Sequence, residues 1–145
     1  MQLSKHFALE EFLVSEIAER KNIPNLPTGE QIENLKELAS VLEQVREVLE
    51  TPIIITSGFR SAKLNSAIGG HPKSHHVEGW AADFISPAFG TPRQICVEIA
   101  AAQLPFDQLI EEGSWVHLSV HPQMRGQVLT ARFANGKATY LSGLA

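Results

Sequence analysis

A single cysteine, Cys96, stands in the 145-residue chain. That excludes an internal disulfide and any zinc site built from several cysteines. There is no cluster of five or more basic residues, and the formal net charge is −4, so the electrostatic footprint of a nucleic-acid-binding protein is missing. No apolar run approaches the roughly 18 residues of a membrane span, and membrane insertion is not expected. No signal-peptide-like apolar stretch follows Met1-Gln2-Leu3-Ser4-Lys5-His6, so the expected place of synthesis is the cytoplasm. Repeats, low-complexity tracts and linkers are lacking as well. What is there is ordinary: 43% apolar and 19% charged residues, the composition of one soluble domain over residues 1–145 with enough chain to bury a core.

The clearest pattern is Ile32, Leu35, Leu38, Leu42, Val45 and Leu49, which recur at spacings of three and four and predict an amphipathic helix. Thr28 and Gln31 form a capping box at its start, and Pro52 ends it. A helix is predicted over 9–20, a short one over 61–68, and another over 91–102 with Thr91 as cap and Pro92 in the first turn. Residues 53–57, 80–85, 107–111, 115–120 and 127–133 read as strands, and the polar stretch 71–79 as a loop. Helices come mostly first and strands later, which predicts an α+β fold with an antiparallel sheet packed on helices.

The chemistry lies in two stretches. In Trp115-Val-His117-Leu-Ser119-Val120 the alternation of a strand turns Val116, Leu118 and Val120 to the core, and Trp115, His117 and Ser119 to the other face. A histidine so placed is, by itself, better explained as one satisfied by a neighbouring group. Asp83, however, sits in an apolar strand between Ala82 and Phe84, where an unpaired carboxylate would cost several kcal/mol. A metal would satisfy it. His76 lies on the loop entering that strand, Gly79 lets the backbone turn back, and the small Ala81 and Ala82 leave room nearby. With His117 the set becomes two imidazoles and a carboxylate, three ligands that suit a catalytic zinc with an open position. Cys96, among Ile95, Val97 and Ile99, reads as a buried small hydrophobe.

The run Ser74-x-His76-x-x-Gly79-x-Ala81-x-Asp83, followed by Trp115-Val-His117 and preceded by Ile55-Thr-Ser-Gly-Phe-Arg60-Ser, Leu64-Asn65 and Gly69-Gly70, resembles the M15 group of zinc peptidases. These include D-alanyl-D-alanine carboxypeptidases and phage endolysins. The resemblance covers about residues 53–120 and is strongest to the C-terminal-type peptidase domain of phage and prophage genomes. It implies a hedgehog/DD-peptidase-like fold, Zn2+ as cofactor, and His76, Asp83 and His117 as its ligands. It implies that Arg60 holds substrate and the developing oxyanion, as a rigid, permanently charged fork of donors can. Ser74 could contact substrate or orient a ligand, or its hydroxyl could equally cap the loop.

The general base is open between two residues. Some family members place an acid three residues before the last histidine, but Ser114 stands there. The Asp107-Gln-Leu-Ile-x-Glu112 run points to Glu112, with Glu111 nearly as well spaced. The expected function is zinc-dependent cleavage of peptidoglycan stem-peptide or cross-link bonds by a phage or prophage endolysin. Such a monomer would be released by a holin or by lysis and act at the cell wall. Two other readings stand beside it: a non-catalytic zinc- or wall-binding module on the same fold, and a phage structural protein whose site only stabilises the fold. A glutamate beside the metal ligands is what separates an enzyme from both.

Overall fold

The computed structural model describes residues 1–144. The long helix predicted by the leucine spacing is α2, Gly29–Leu49, and its capping box is formed: the Gln31 N–H donates to the Thr28 hydroxyl at 3.2 Å while the Thr28 N–H donates to the Gln31 side chain at 2.9 Å. Leu35, Leu38, Leu42, Val45 and Leu49 form its buried stripe. The same device starts α4, Pro92–Ala101, where Thr91 and Gln94 cap each other and Ile95, Cys96 and Ile99 face inward. Burial pushes the Cys96 thiol up to about 12, with Glu111 adding to it, so the thiol stays protonated. A short helix, α3, covers Ala62–Ala67, capped by the Ser61 hydroxyl.

The helix predicted over 9–20 is instead two pieces, a 3-10 turn at Leu9–Phe12 and α1 at Glu16–Arg20. Ser15 breaks it. Its backbone is extended, at φ −151° and ψ 120°, and its hydroxyl accepts the Ala18 N–H to open the second piece. Serine competes in this way for helix backbone, favouring caps over interiors.

Six strands form one sheet: β1 (Ile54–Ser57), β2 (Ala81–Ile85), β3 (Gln108–Glu111), β4 (Val116–Ser119), β5 (Gln127–Ala134) and β6 (Lys137–Ser142), in the order β1-β2-β4-β3-β5-β6. The fold is α+β, but the sheet is mixed rather than antiparallel throughout: β3 and β5 run parallel. The reason is topological. The inner edge of β3 is taken by β4, and the other edge of β4 by β2. The chain leaving β4 therefore crosses to the outer edge of β3 and enters at the end where β3 began. The Gly126 N–H donates to the Phe106 carbonyl at 3.0 Å and the Gln127 N–H to the Asp107 carbonyl at 2.9 Å, fixing that entry. Asp107, fully buried, accepts both Nε and Nη2 of Arg125 at 2.9 and 2.8 Å, and clamps the crossing.

β6 was not among the predicted strands. All six of its residues are exposed, so it carries no alternation. Asn135 and Gly136, at φ 52° and 74°, make the two-residue turn with positive φ at both positions that joins twisted strands in a hairpin.

Helices α2 and α4 cover one face of the sheet, burying Phe84, Leu109, Val116 and Leu118 with the helix stripes in one core. The opposite face carries the polar residues of β2 and β4. No helix among the described residues is long and apolar enough to cross a membrane.

Candidate metal centre

Asp83 and His117 are direct neighbours across β2 and β4, and side chains opposite each other on one face of an antiparallel pair meet. The His117 Nδ1 lies 2.9 Å from Asp83 Oδ1. His76 arrives from another element, the 3-10 turn His75–Glu78, and puts its Nε2 3.3 Å from the same oxygen. The two imidazoles stand 5.1 Å apart at 62°. One ligand atom from each of the three residues lies within 4.8 Å of the others, His76 and Asp83 buried and His117 half-buried.

The approach of His76 is set by its surroundings. Its Nδ1–H donates to the Gly58 carbonyl at 2.7 Å, which turns Nε2 toward the cluster; such a partner fixes the ring orientation of a histidine ligand. The Arg60 N–H donates in return to the His76 carbonyl at 3.1 Å. The Ser74 hydroxyl accepts the His76 N–H at 3.3 Å and starts the turn. Gly79 ends the turn at φ +83°, where an added Cβ would lie 2.7 Å from the Gln31 carbonyl oxygen of α2; no other residue fits both the conformation and the contact.

Burial pushes the Asp83 carboxyl up, but the His76 and His117 imidazoles outweigh it and hold the group well below the ordinary carboxylate range. Burial lowers the basicity of His76, with Asp83 opposing. The donor set is thus one carboxylate and two imidazoles, the ligand types a divalent metal such as zinc takes.

Arg60 faces the cluster from the β1 side, its Nη2 3.5 Å from Asp83 Oδ2. Its Nε donates to the Ser57 hydroxyl at 3.3 Å and its Nη1 to Asn65 Oδ1 at 3.4 Å. The Asn65 amide, buried, also donates to the His71 carbonyl at 2.8 Å. A register shift between Ile55 and Ser57 turns this end of β1 toward the site; such bulges commonly re-aim side chains beside active sites.

The two glutamates separate by strand parity. Glu111 pairs with Val116, whose side chain is in the core, and Glu111 perturbs Cys96 on α4. It therefore lies on the helix side of the sheet. Glu112, one residue on, lines the cleft with Arg60, His76, Asp83 and His117. Burial pushes its carboxyl up, with His117 opposing. Ser74 and Trp115 also line this cleft of about 830 Å³. Ser119, on the His117 face, is buried and its hydroxyl accepts the Gln108 N–H at 3.2 Å.

A second group, His75, Asp107 and His121, is also close-set. The His75 and His121 rings stack at 4.7 Å and 17°, with Trp80 edge-on to both. The Asp107 carboxylate is already committed to Arg125, so these residues read as a packed support beneath the turn that carries His76. Sequence reasoning missed Tyr140 and Phe133 of the β5–β6 hairpin, which line the cleft; the Asn135-Gly136 pair was the signal that would have exposed the hairpin.

Two histidines and an aspartate at the floor of an open cleft, with an arginine and a glutamate on its walls, define a candidate centre of the metal-dependent hydrolase class. The Peptidase M15 family matches residues 5–119, and the chain belongs to that family: it carries an M15 peptidase domain. The match begins well before the motif stretch and takes in α1 and α2. No curated protein matches the chain.

Proposed function

We propose that this chain is a zinc-dependent peptidase that hydrolyses amide bonds in the peptide part of peptidoglycan, on a fold of the hedgehog/DD-peptidase type. The observation that carries the reading is the convergence of His76, Asp83 and His117, one ligand atom from each within 4.8 Å, in the cleft that Glu112 and Arg60 also line. His76 Nε2, an Asp83 oxygen and His117 would hold the metal. When bound, zinc supplies a Lewis acid that activates water and polarises the scissile carbonyl.

The remaining work falls to the chain. Glu112 takes the proton of the attacking water and returns it to the leaving amine. A carboxylate whose affinity for protons is raised by burial is suited to both halves of that transfer. Glu111, on the other face, has no access. The Arg60 guanidinium is held by Ser57 and Asn65 and donates to the carbonyl oxygen as charge develops on it. Ser74 orients His76 and presents its hydroxyl side of the turn to the peptide.

The reading extends to a phage or prophage endolysin on the resemblance of residues 53–120. The test is digestion of purified peptidoglycan by the zinc-loaded protein, with mass spectrometry of the new ends. Released amino and carboxyl termini within the stem or cross-link peptide are expected. An undigested wall and intact soluble stem peptides would overturn the reading.

A further inference from the structure

The β5–β6 hairpin lies beyond the family match, which ends at residue 119, yet it reaches the cleft. Tyr140 pairs across the hairpin with Ala131, and Phe133 with Ala138. Each aromatic residue is thus paired with an alanine, and the two are diagonal neighbours on one face of the hairpin. Both line the cleft while remaining half exposed, Phe133 at 58% and Tyr140 at 51%. Their place is next to the general base. A side chain built on Gly113, the residue after Glu112, would meet the Phe133 ring at 3.6 Å. The Tyr140 phenol is shifted up by burial, then by Glu112 and Asp83, so its ring stands within the field of both carboxylates. No protein group among the described residues hydrogen-bonds its hydroxyl.

We propose that Phe133 and Tyr140 form the subsite for the leaving half of the peptide, the fragment that departs with the new amine. This rests on the function proposed above. Glu112 must deliver its proton to the leaving nitrogen, so the leaving half lies on the Glu112 side of the cleft. Arg60 enters from the β1 edge of the sheet and the hairpin from the β6 edge, so the hairpin is the wall that half meets. Phe133 supplies apolar area beside the scissile bond, and the Tyr140 hydroxyl donates to a backbone carbonyl of the fragment. An extended peptide offers such carbonyls regardless of its side chains, while Phe133 favours small apolar ones.

The test uses the two fragments that the zinc-loaded protein releases from a soluble stem pentapeptide. They are separated, identified by mass and returned as inhibitors. Tyr140→Phe is expected to raise the inhibition constant of the amine-ended fragment about three- to ten-fold, the range of one neutral hydrogen bond. It should leave the inhibition constant of the carboxylate-ended fragment and the zinc content nearly unchanged. Phe133→Ala should act on the same fragment alone. An unchanged constant for the amine-ended fragment, or an equal rise for both, would overturn the subsite while leaving the peptidase reading intact. A wild-type protein that releases no fragments would fell the peptidase reading, and the subsite with it.

Discussion

Gly58 joins the stability of the fold to the geometry of the metal centre, and Gly58→Ala tests that link. The added Cβ would lie 2.7 Å from both the Cα and the carbonyl oxygen of Phe12, and 2.8 Å from its Cβ. Two of these are backbone atoms, and Phe12 is fully buried, so no flexible side chain can yield. Either the 3-10 turn at Leu9–Phe12 or the end of β1 must move. Such overpacking costs roughly 1–3 kcal/mol. Movement of either segment also strains the Phe59 N–H to Phe12 carbonyl bond of 2.8 Å, worth about 1 kcal/mol. A loss of about 2–4 kcal/mol follows, or roughly 4–16 °C in melting temperature for a chain of this size. The same displacement takes the Gly58 carbonyl from its 2.7 Å contact with His76 Nδ1. Loss of an outer partner of a histidine ligand typically weakens metal binding about 10- to 100-fold. Thermal melting of the metal-free protein and competitive zinc titration against a chromophoric chelator read the two effects separately. An unchanged melting temperature together with unchanged zinc affinity would refute the reasoning.

Other consequences are as direct. Glu112→Gln should keep zinc and lower kcat by at least about a hundred-fold, the scale of general acid–base catalysis, whereas Glu111→Gln should change it little; steady-state assays on a soluble muropeptide decide, and the reverse order would mean that strand parity misassigns the base. Arg60→Lys should retain fold and zinc but lower kcat roughly a hundred- to thousand-fold, because lysine keeps the charge and loses the planar fork; an unchanged kcat would remove Arg60 from the reaction. Acid should destabilise the fold through Glu43 and Asp107. Burial raises the Glu43 carboxyl, but Ser4 and His6 outweigh it, and Arg125 lowers Asp107, so both stay below their ordinary values of 4.5 and 3.8. The unfolded chain then binds more protons, so their contribution is complete above about pH 5 and is lost as pH falls through and below those values. Urea midpoints between pH 6 and 3 should decline, and less steeply in Glu43→Gln/Asp107→Asn; equal slopes would count against the assignment.

Much of the site could be read from the residues because burial made the chemistry conspicuous. Asp83 stood in an apolar strand, and His117 alternated with core valines and leucines, so the partner of each could be sought. Spacing and capping pairs located α2 and α4 because these helices bury a regular stripe. The unread parts are those decided by pairing or capping contacts that hydrophobic spacing does not encode. Whether Glu111 or Glu112 faces the cleft depends on one residue of strand parity, which only pairing with β4 determines. The parallel run of β5 beside β3 depends on which edges were already taken. Strand β6 buries nothing, so hydrophobic patterning is silent there and only Asn135-Gly136 marks the turn. Ser15 overrode the helix pattern of 9–20 through a local cap.

The central claim is that His76, Asp83 and His117 hold one catalytic zinc, and metal content with activity tests it most directly. Protein purified without added chelator should carry one zinc per chain by elemental analysis. X-ray absorption should show two nitrogen ligands and carboxylate oxygen at about 2.0–2.2 Å. Chelation should abolish peptide cleavage, stoichiometric zinc should restore it, and His76→Ala, Asp83→Ala and His117→Ala should each lose both metal and turnover. A wild-type protein that binds no zinc, or cleavage that persists in all three alanine variants, would contradict the account.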